Sequence, residues 1–203
     1  MPVTRTRIES IRRRDLIEAA YQTFLEHGLN GMTMARISKR SGLSQGVVNY
    51  YFKSKDELIF AVAVKVYSIT VADTSRGLKL AKSPRDRVNV IIEANINNRI
   101  FTTDGARAWV EFFAALWQKP DLARLQYMFD RRIISNLVDS LSKLVSPEDA
   151  REIAHTIVFL IDGLWVRKAS GIGDLEPKES VQRIWQIIDL KLADLSRSRN
   201  DNG

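Results

Sequence analysis

The sequence predicts an all-α protein of about nine helices. Two observations carry that expectation. No stretch alternates apolar and polar residues over strand length. Apolar residues instead recur at three- and four-residue spacing between helix starts and stops: serine or threonine caps, first-turn prolines and closing glycines. A third observation sets the organisation. Residues 33–55 read as two short helices joined by a glycine turn, followed by the start of another helix.

Residues 1–9 hold too little apolar surface to pack and are expected to be flexible. Arg5 and Arg7 there suit a phosphate backbone or a minor groove; the alternative is a tail that contacts nothing. Ser10 is read as the cap of a first helix, 11–27. Leu16, Ala20 and Phe24 with Ile17, Tyr21 and Leu25 form its core stripe, and Gly28 ends it. Thr33 caps the second helix, in which Met34, Ile37 and Ser41 share a face and Arg36, Lys39 and Arg40 lie outside. Gly42 closes that helix, because glycine takes the left-handed conformation without steric cost. Ser44 caps the third, 45–52. Val48 and Phe52, four apart, turn inward. Gln45, Val47, Asn49, Tyr50 and Tyr51 are left outside. They are poor core material and suit a major groove, which offers donors, acceptors and thymine methyls. Helix, glycine turn, helix is the arrangement of a helix-turn-helix DNA reader.

Ser54 and Glu57 make a capping box for the fourth helix, which is expected to break at Gly77. Pro84 opens a fifth, 84–101. Thr103 and Asp104 cap a sixth, 105–118, whose Trp109, Phe112, Phe113, Leu116 and Trp117 form one stripe, read first as core. Pro120 starts a seventh, to about 145. Ser146-Pro147-Glu148-Asp149 opens an eighth, to about 170, with acids near the positive helix end. Pro177 opens a ninth, to about 195, and SRSRNDNG is a frayed tail.

Composition narrows the function classes. With 203 residues, 45% hydrophobic and 27% charged, the chain can bury a sizeable core. It has no cysteine, which removes disulfides, thiolate metal sites and thiol nucleophiles. His27 and His155 stand apart and read as structural or surface residues. No histidine constellation, paired metal ligands or glycine phosphate loop supports catalysis, so no catalytic residue, metal site or cofactor is expected. No uninterrupted apolar run approaches the roughly 18 residues that span a bilayer, and a cytoplasmic protein without membrane partners is expected. The net charge is +7, of which residues 1–55 carry +6, from ten bases and four acids. Positive charge thus coincides with the groove-reading motif, the footprint of a polyanion partner.

The run Ile17–Ala20, Phe24, Gly28, Thr33, Ile37, Gly42-Leu43, Gly46, Tyr51-Phe52, Lys55 and Leu58 resembles the DNA-binding domain of the TetR family of transcriptional repressors. The helix count and order resemble that family over essentially the whole length. The resemblance implies an N-terminal arm and helix-turn-helix domain at 1–55, and a helical effector-binding and dimerisation domain at 56–203. It implies a double-stranded DNA operator read through Thr33, Arg36, Ser44, Gln45, Gly46, Val47, Asn49, Tyr50, Tyr51 and Lys55. Thr33, Tyr50, Tyr51 and Lys55 would contact phosphates. Many relatives carry threonine where this chain has Val47 and tyrosine where it has Asn49, so no operator sequence carries over. The fourth helix would be the lever between domains.

The eighth and ninth helices are apolar on more than one face, with Phe159, Leu164, Ile187 and Leu190 among many. By resemblance they build a four-helix homodimer interface; the alternative is packing within one chain. Three tracts, 10–20, 106–126 and 131–138 with 161–167, are similar to the choline-responsive BetI-type subgroup, which controls glycine betaine synthesis. That implies a quaternary-amine effector among Trp109, Phe112, Phe113, Trp117, Tyr127 and Trp165, whose ring faces attract such cations. Glu111 and Asp162 are the carboxylates nearest in sequence, free to balance the cation or to pair with Arg107 or Arg167. The alternatives are an unrelated apolar or cationic effector in another pathway, and an effector-independent DNA-binding protein.

Overall fold

Side-chain caps mark where the helices start. The computed structural model describes residues 5–97, 99–173 and 175–200, and these form nine α-helices with no strand among them. The helices are α1 (Arg5–Gly31), α2 (Met34–Ser41), α3 (Gln45–Tyr51), α4 (Lys55–Leu80) and α5 (Pro84–Asn95). They continue as α6 (Thr103–Ala115), α7 (Pro120–Leu141), α8 (Pro147–Ser170) and α9 (Pro177–Asn200), with a 3-10 turn at Leu116–Gln118 after α6. The side-chain oxygens of Thr33, Ser44, Ser83 and Ser146 accept from the backbone N–H three residues on. Ser54 does the same for Glu57 at 3.1 Å, and the Glu57 carboxylate accepts from Lys53 N–H at 2.8 Å. Each such cap stabilises a helix start by about 1 kcal/mol.

The chain folds as two compact units. Met1–Ser68 and Asp104–Leu125 make one; Ile69–Thr103 and Gln126–Gly203 make the other. In the first, Leu16, Ala20 and Phe24 of α1 are buried with Ile37, Val48, Phe52 and Leu58, and α6 adds Ala106, Ala108 and Phe112. In the second, α5 buries Val88, Ile91 and Ile92, and α8 and α9 bury Ile153, Ile157, Ile184 and Ile188 at helical spacing. The first unit thus holds α1–α3 and the first part of α4 together with α6 and the start of α7.

Several element readings need correction. The first helix starts at Arg5, so residues 5–9 are helical rather than flexible; residues 1–4 lie outside the described residues, as does the side chain of Arg5. Ser10 is no cap: its hydroxyl donates to the Arg7 carbonyl one turn back. Gly28 does leave helical space, at φ 66° and ψ −175°. Gly77 does not break α4, which runs on to Leu80. The fifth helix ends at Asn95, not 101. There the side-chain amides of Asn95 and Asn97 donate to the carbonyls of Ile91 and Ala94, and such local bonds compete with helix continuation. The seventh stops at Leu141, four residues early, and the ninth runs past 195 to Asn200. Among the described residues one helix, α4, is long and apolar enough to cross a membrane by length and composition. Its Leu58, Ile59, Val62 and Tyr67 are buried in the protein core.

Candidate DNA-reading surface and effector site

The α2–turn–α3 segment is built as the sequence reading anticipates. Gly42 closes α2 in the left-handed region at φ 69°. The Ser38 hydroxyl donates to the Leu43 carbonyl at 2.5 Å across the turn. On α3, Val48 and the following Phe52 are fully buried, and the Arg13 guanidinium lies 4.9 Å from the Phe52 ring centre. Burying those two residues fixes what α3 presents outward. Gln45, Gly46, Asn49 and Tyr50 are exposed, with Gln45 and Asn49 one turn apart on the same side; Val47 and Tyr51 are half-buried. Ser44 and Thr33 are exposed at their caps.

The cations around this surface are partly engaged. The Lys53 ammonium donates to the Tyr50 carbonyl at 3.1 Å and lies 5.5 Å from that ring's centre. Arg36 donates to the Gly31 carbonyl at 2.8 Å and Lys55 to the Asn30 carbonyl at 3.4 Å. Arg40 pairs with Glu26 of α1. On α1 itself Arg7, Arg12, Arg13 and Arg14 are exposed.

The eight residues read as an effector site divide between the two units. Trp109, Glu111, Phe112, Phe113 and Trp117 belong to the first; Tyr127, Asp162 and Trp165 belong to the second. In the first, Trp109 stacks on Phe112 at 5.2 Å and meets Tyr67 edge-on at 6.0 Å. Beside them is an apolar cavity of about 20 Å³, bounded by Phe24, Leu29, Met32, Ile59, Trp109 and Phe112 among others. That volume is water-sized and far short of a trimethylammonium group. Phe113 is half-exposed and Trp117 is 81% exposed. Glu111 faces backbone: its Oε2 accepts from Leu29 N–H at 2.8 Å and Asn30 N–H at 3.2 Å. Arg107, considered as its partner, pairs with Asp104 at 3.6 Å.

In the second unit Trp165 is buried. Its indole N–H donates to the Asn95 carbonyl at 3.2 Å and its ring meets Phe101 edge-on at 5.1 Å. Tyr127 is exposed beneath the Arg131 guanidinium. Asp162 is half-buried, and burial, with the nearby Asp130 charge adding, pushes its carboxyl up to about 6. Burial also raises Asp130, against a hydrogen bond from Gln126 at 2.7 Å. Two carboxylates sharing a partly desolvated place make a site that favours a cation. Asp130 is not legible in the sequence because it lies on α7, 32 positions away, and only the fold brings its charge near Asp162.

Comparison with known proteins bears on both regions. Residues 16–62 match the family described as bacterial regulatory proteins, tetR family. Residues 84–193 match the family described as BetI-type transcriptional repressor, C-terminal. A curated relative from Burkholderia thailandensis, the HTH-type transcriptional regulator BetI, is 35% identical over 187 residues, covering 92% of this chain and 96% of that protein. The chain belongs to the TetR family, in its BetI-type branch. As a TetR-family member it is a DNA-binding transcriptional regulator and not an enzyme. Solved structures share the fold. A transcriptional regulator from Rhodococcus sp. superposes with a TM-score of 0.77 at 19% identity, covering 92% of this chain and 96% of that one. A regulator from Saccharomonospora viridis, solved in complex with choline, gives 0.75 at 20% identity, covering 89% and 96%. The BetI-type match takes in α6, so the C-terminal family segment includes a helix that packs with the TetR reader.

Proposed function

We propose that this TetR-family regulator is a homodimeric repressor released from its operator by a choline-like quaternary amine, and that it governs glycine betaine synthesis in the cytoplasm. The single observation that carries the effector reading is the BetI-type match over 84–193, which lies outside the shared DNA reader. The choline complex of the Saccharomonospora viridis regulator agrees with it in fold and ligand class. Asp162, partly desolvated beside Asp130, supplies the negative charge that a quaternary ammonium needs, because such a cation donates no hydrogen bond and is held by charge and ring faces. Among the eight effector candidates, Asp162 gains weight. Glu111, Trp109 and Phe112 lose it to the contacts they already make.

Gln45, Val47, Asn49 and Tyr51 are assigned to base edges, and Thr33, Arg36, Ser44, Gly46, Tyr50 and Lys55, with Tyr51 again, to backbone contact and close approach. Support comes from the outward face that burial of Val48 forces on α3. Two short readers on a near-palindrome bind far more tightly than one, which is the physical reason for a dimer. An effector that favours a second arrangement of the dimer weakens DNA binding by the same factor that DNA weakens effector binding.

The test is calorimetric titration with choline and with its neutral isostere 3,3-dimethylbutanol, paired with mobility shifts on a duplex that the protein selects from a random pool. Saturable choline binding that the isostere fails to reproduce, with release of the duplex, supports the reading. A protein that holds the duplex but binds neither compound takes another effector.

A further inference from the structure

The chain turns toward α2 through the kinked last residues of α1, 28–31, and this turn is held from a helix outside the N-terminal segment. Gly28 sits at φ 66° and ψ −175°, a combination that is essentially restricted to glycine. The kink aims the next two backbone N–H groups, of Leu29 and Asn30, at one oxygen of Glu111 on α6, at 2.8 and 3.2 Å. Successive N–H groups converging on a carboxylate form an anion cradle. The approach is close: a β-carbon on Gly28 would stand 2.5 Å from Glu111 Oε2 and 2.7 Å from Oε1. The carbonyl side of the same turn is held by cations. Asn30 accepts from Lys55 of α4, and Gly31 accepts from Arg36 of α2. Met32, next in line, is fully buried, and Thr33 then caps α2. Lys119, after the 3-10 turn that follows α6, also pairs with Asp56 at the start of α4, at 2.5 Å.

We infer that Glu111 is a positioning residue for DNA reading: its carboxylate clamps the α1–α2 turn and so sets α2 and, through the Gly42 turn, α3. It touches no DNA. The inference rests on the assignment of α3 as the reading helix. Its physical content is specific. Loss of the carboxylate leaves two N–H groups without an acceptor at the point from which α2 departs, while the α6 core residues Ala108 and Phe112 stay buried.

The experiment compares the wild type, Glu111→Ala, Glu111→Gln, Gly28→Ala and the Gly28→Ala/Glu111→Ala double variant, with Gln45→Ala as a control. Fluorescence anisotropy reads binding to the selected duplex and to an unrelated duplex of equal length; circular dichroism checks helix content. Glu111→Ala is expected to weaken selected-duplex binding about tenfold, with non-specific binding and helix content held. Glu111→Gln, which keeps one acceptor oxygen, recovers most of the loss. Gly28→Ala weakens binding in the wild-type background and by a smaller factor in Glu111→Ala, where the clashing carboxylate is gone. Unchanged duplex affinity in Glu111→Ala, while Gln45→Ala lowers it, overturns the inference and leaves α3 as the reader. If Gln45→Ala also has no effect, the α3 assignment falls and the inference with it.

Discussion

Gly77 of α4 meets Val90 of α5 so closely that a β-carbon on the glycine would lie 2.4 Å from Val90 Cγ1 and 3.0 Å from its Cγ2. In an open helix Gly→Ala gains about 1 kcal/mol from propensity. Here the added methyl strikes a β-branched side chain with few rotamers to retreat into, and overpacking costs about 1–3 kcal/mol. Gly77→Ala is therefore expected to destabilise the protein by up to about 2 kcal/mol in urea unfolding. In a Val90→Ala background the same change should turn neutral or stabilising. Equal losses in both backgrounds would mean that the contact with Val90 does not set the cost.

The same glycine shows where sequence reading stops. A glycine in an apolar helical run reads as a break, because its neighbour across the helix interface is not adjacent in sequence. Local signals mark helix ends without distant help: Thr33, Ser44, Ser146 and the first-turn prolines through their own side chains or rings, and Gly42 through its left-handed backbone. Val48 and Phe52 were placed inside by spacing alone, and the outward face of α3 followed. Glu111 was different. Its aromatic neighbours in sequence suggested a cation site, whereas its acceptor role depends on Leu29 and Asn30, 82 and 81 positions away. Asp130 and Asp162 likewise become a pair only in three dimensions.

Asp162 yields a pH prediction. Its folded value of about 6 lies above the ordinary 3.8. Between those pH values the folded state keeps a proton that the unfolded chain releases, so stability falls as pH rises from about 4 to about 6, and the full penalty stands above 6. Asp162→Asn should relieve on the order of 1–2 kcal/mol at pH 7.5 and change little at pH 4. Thermal melts at the two pH values check the sign. The same variant should lose choline binding, a gain in stability coupled to a loss of function. In the wild type, choline affinity should rise as pH passes upward through about 6. Stability lost at pH 7.5 in Asp162→Asn would contradict the desolvation argument.

Gln45 and Asn49 occupy successive turns on the exposed side of α3. An amide that bonds an adenine edge discriminates by about 1–3 kcal/mol. Gln45→Ala and Asn49→Ala should each weaken binding to the selected duplex about tenfold or more, and leave the affinity for unrelated DNA and its salt dependence in place. Lys55→Ala should instead weaken both duplexes and make the salt slope shallower by about one counterion, with some further loss on the selected duplex because Lys55 also holds the Asn30 carbonyl. A uniform loss from Gln45→Ala would move that residue from base edge to backbone.

The last prediction concerns the faces of α8 and α9 that the chain itself leaves uncovered. Phe159 and Val166, two turns apart on α8, are 69% and 59% exposed, and Leu190 on α9 is 73% exposed beside the half-exposed Ile187. Within one chain these residues add little burial, so charge at Phe159 and Leu190 should leave the monomer's stability within about 0.5 kcal/mol. Across a two-fold axis, each substitution would appear twice in one apolar interface and bring like charges together on its loss of contact. Phe159→Glu/Leu190→Glu should therefore run as a monomer in light scattering. Its helix content should stay intact, and its affinity for the selected duplex should fall by at least about a hundredfold as the second reader is lost. A variant that remains dimeric would place the interface elsewhere on the molecule. One that turns monomeric yet keeps full operator affinity would show that a single α3 suffices, which the small area of one seven-residue helix argues against.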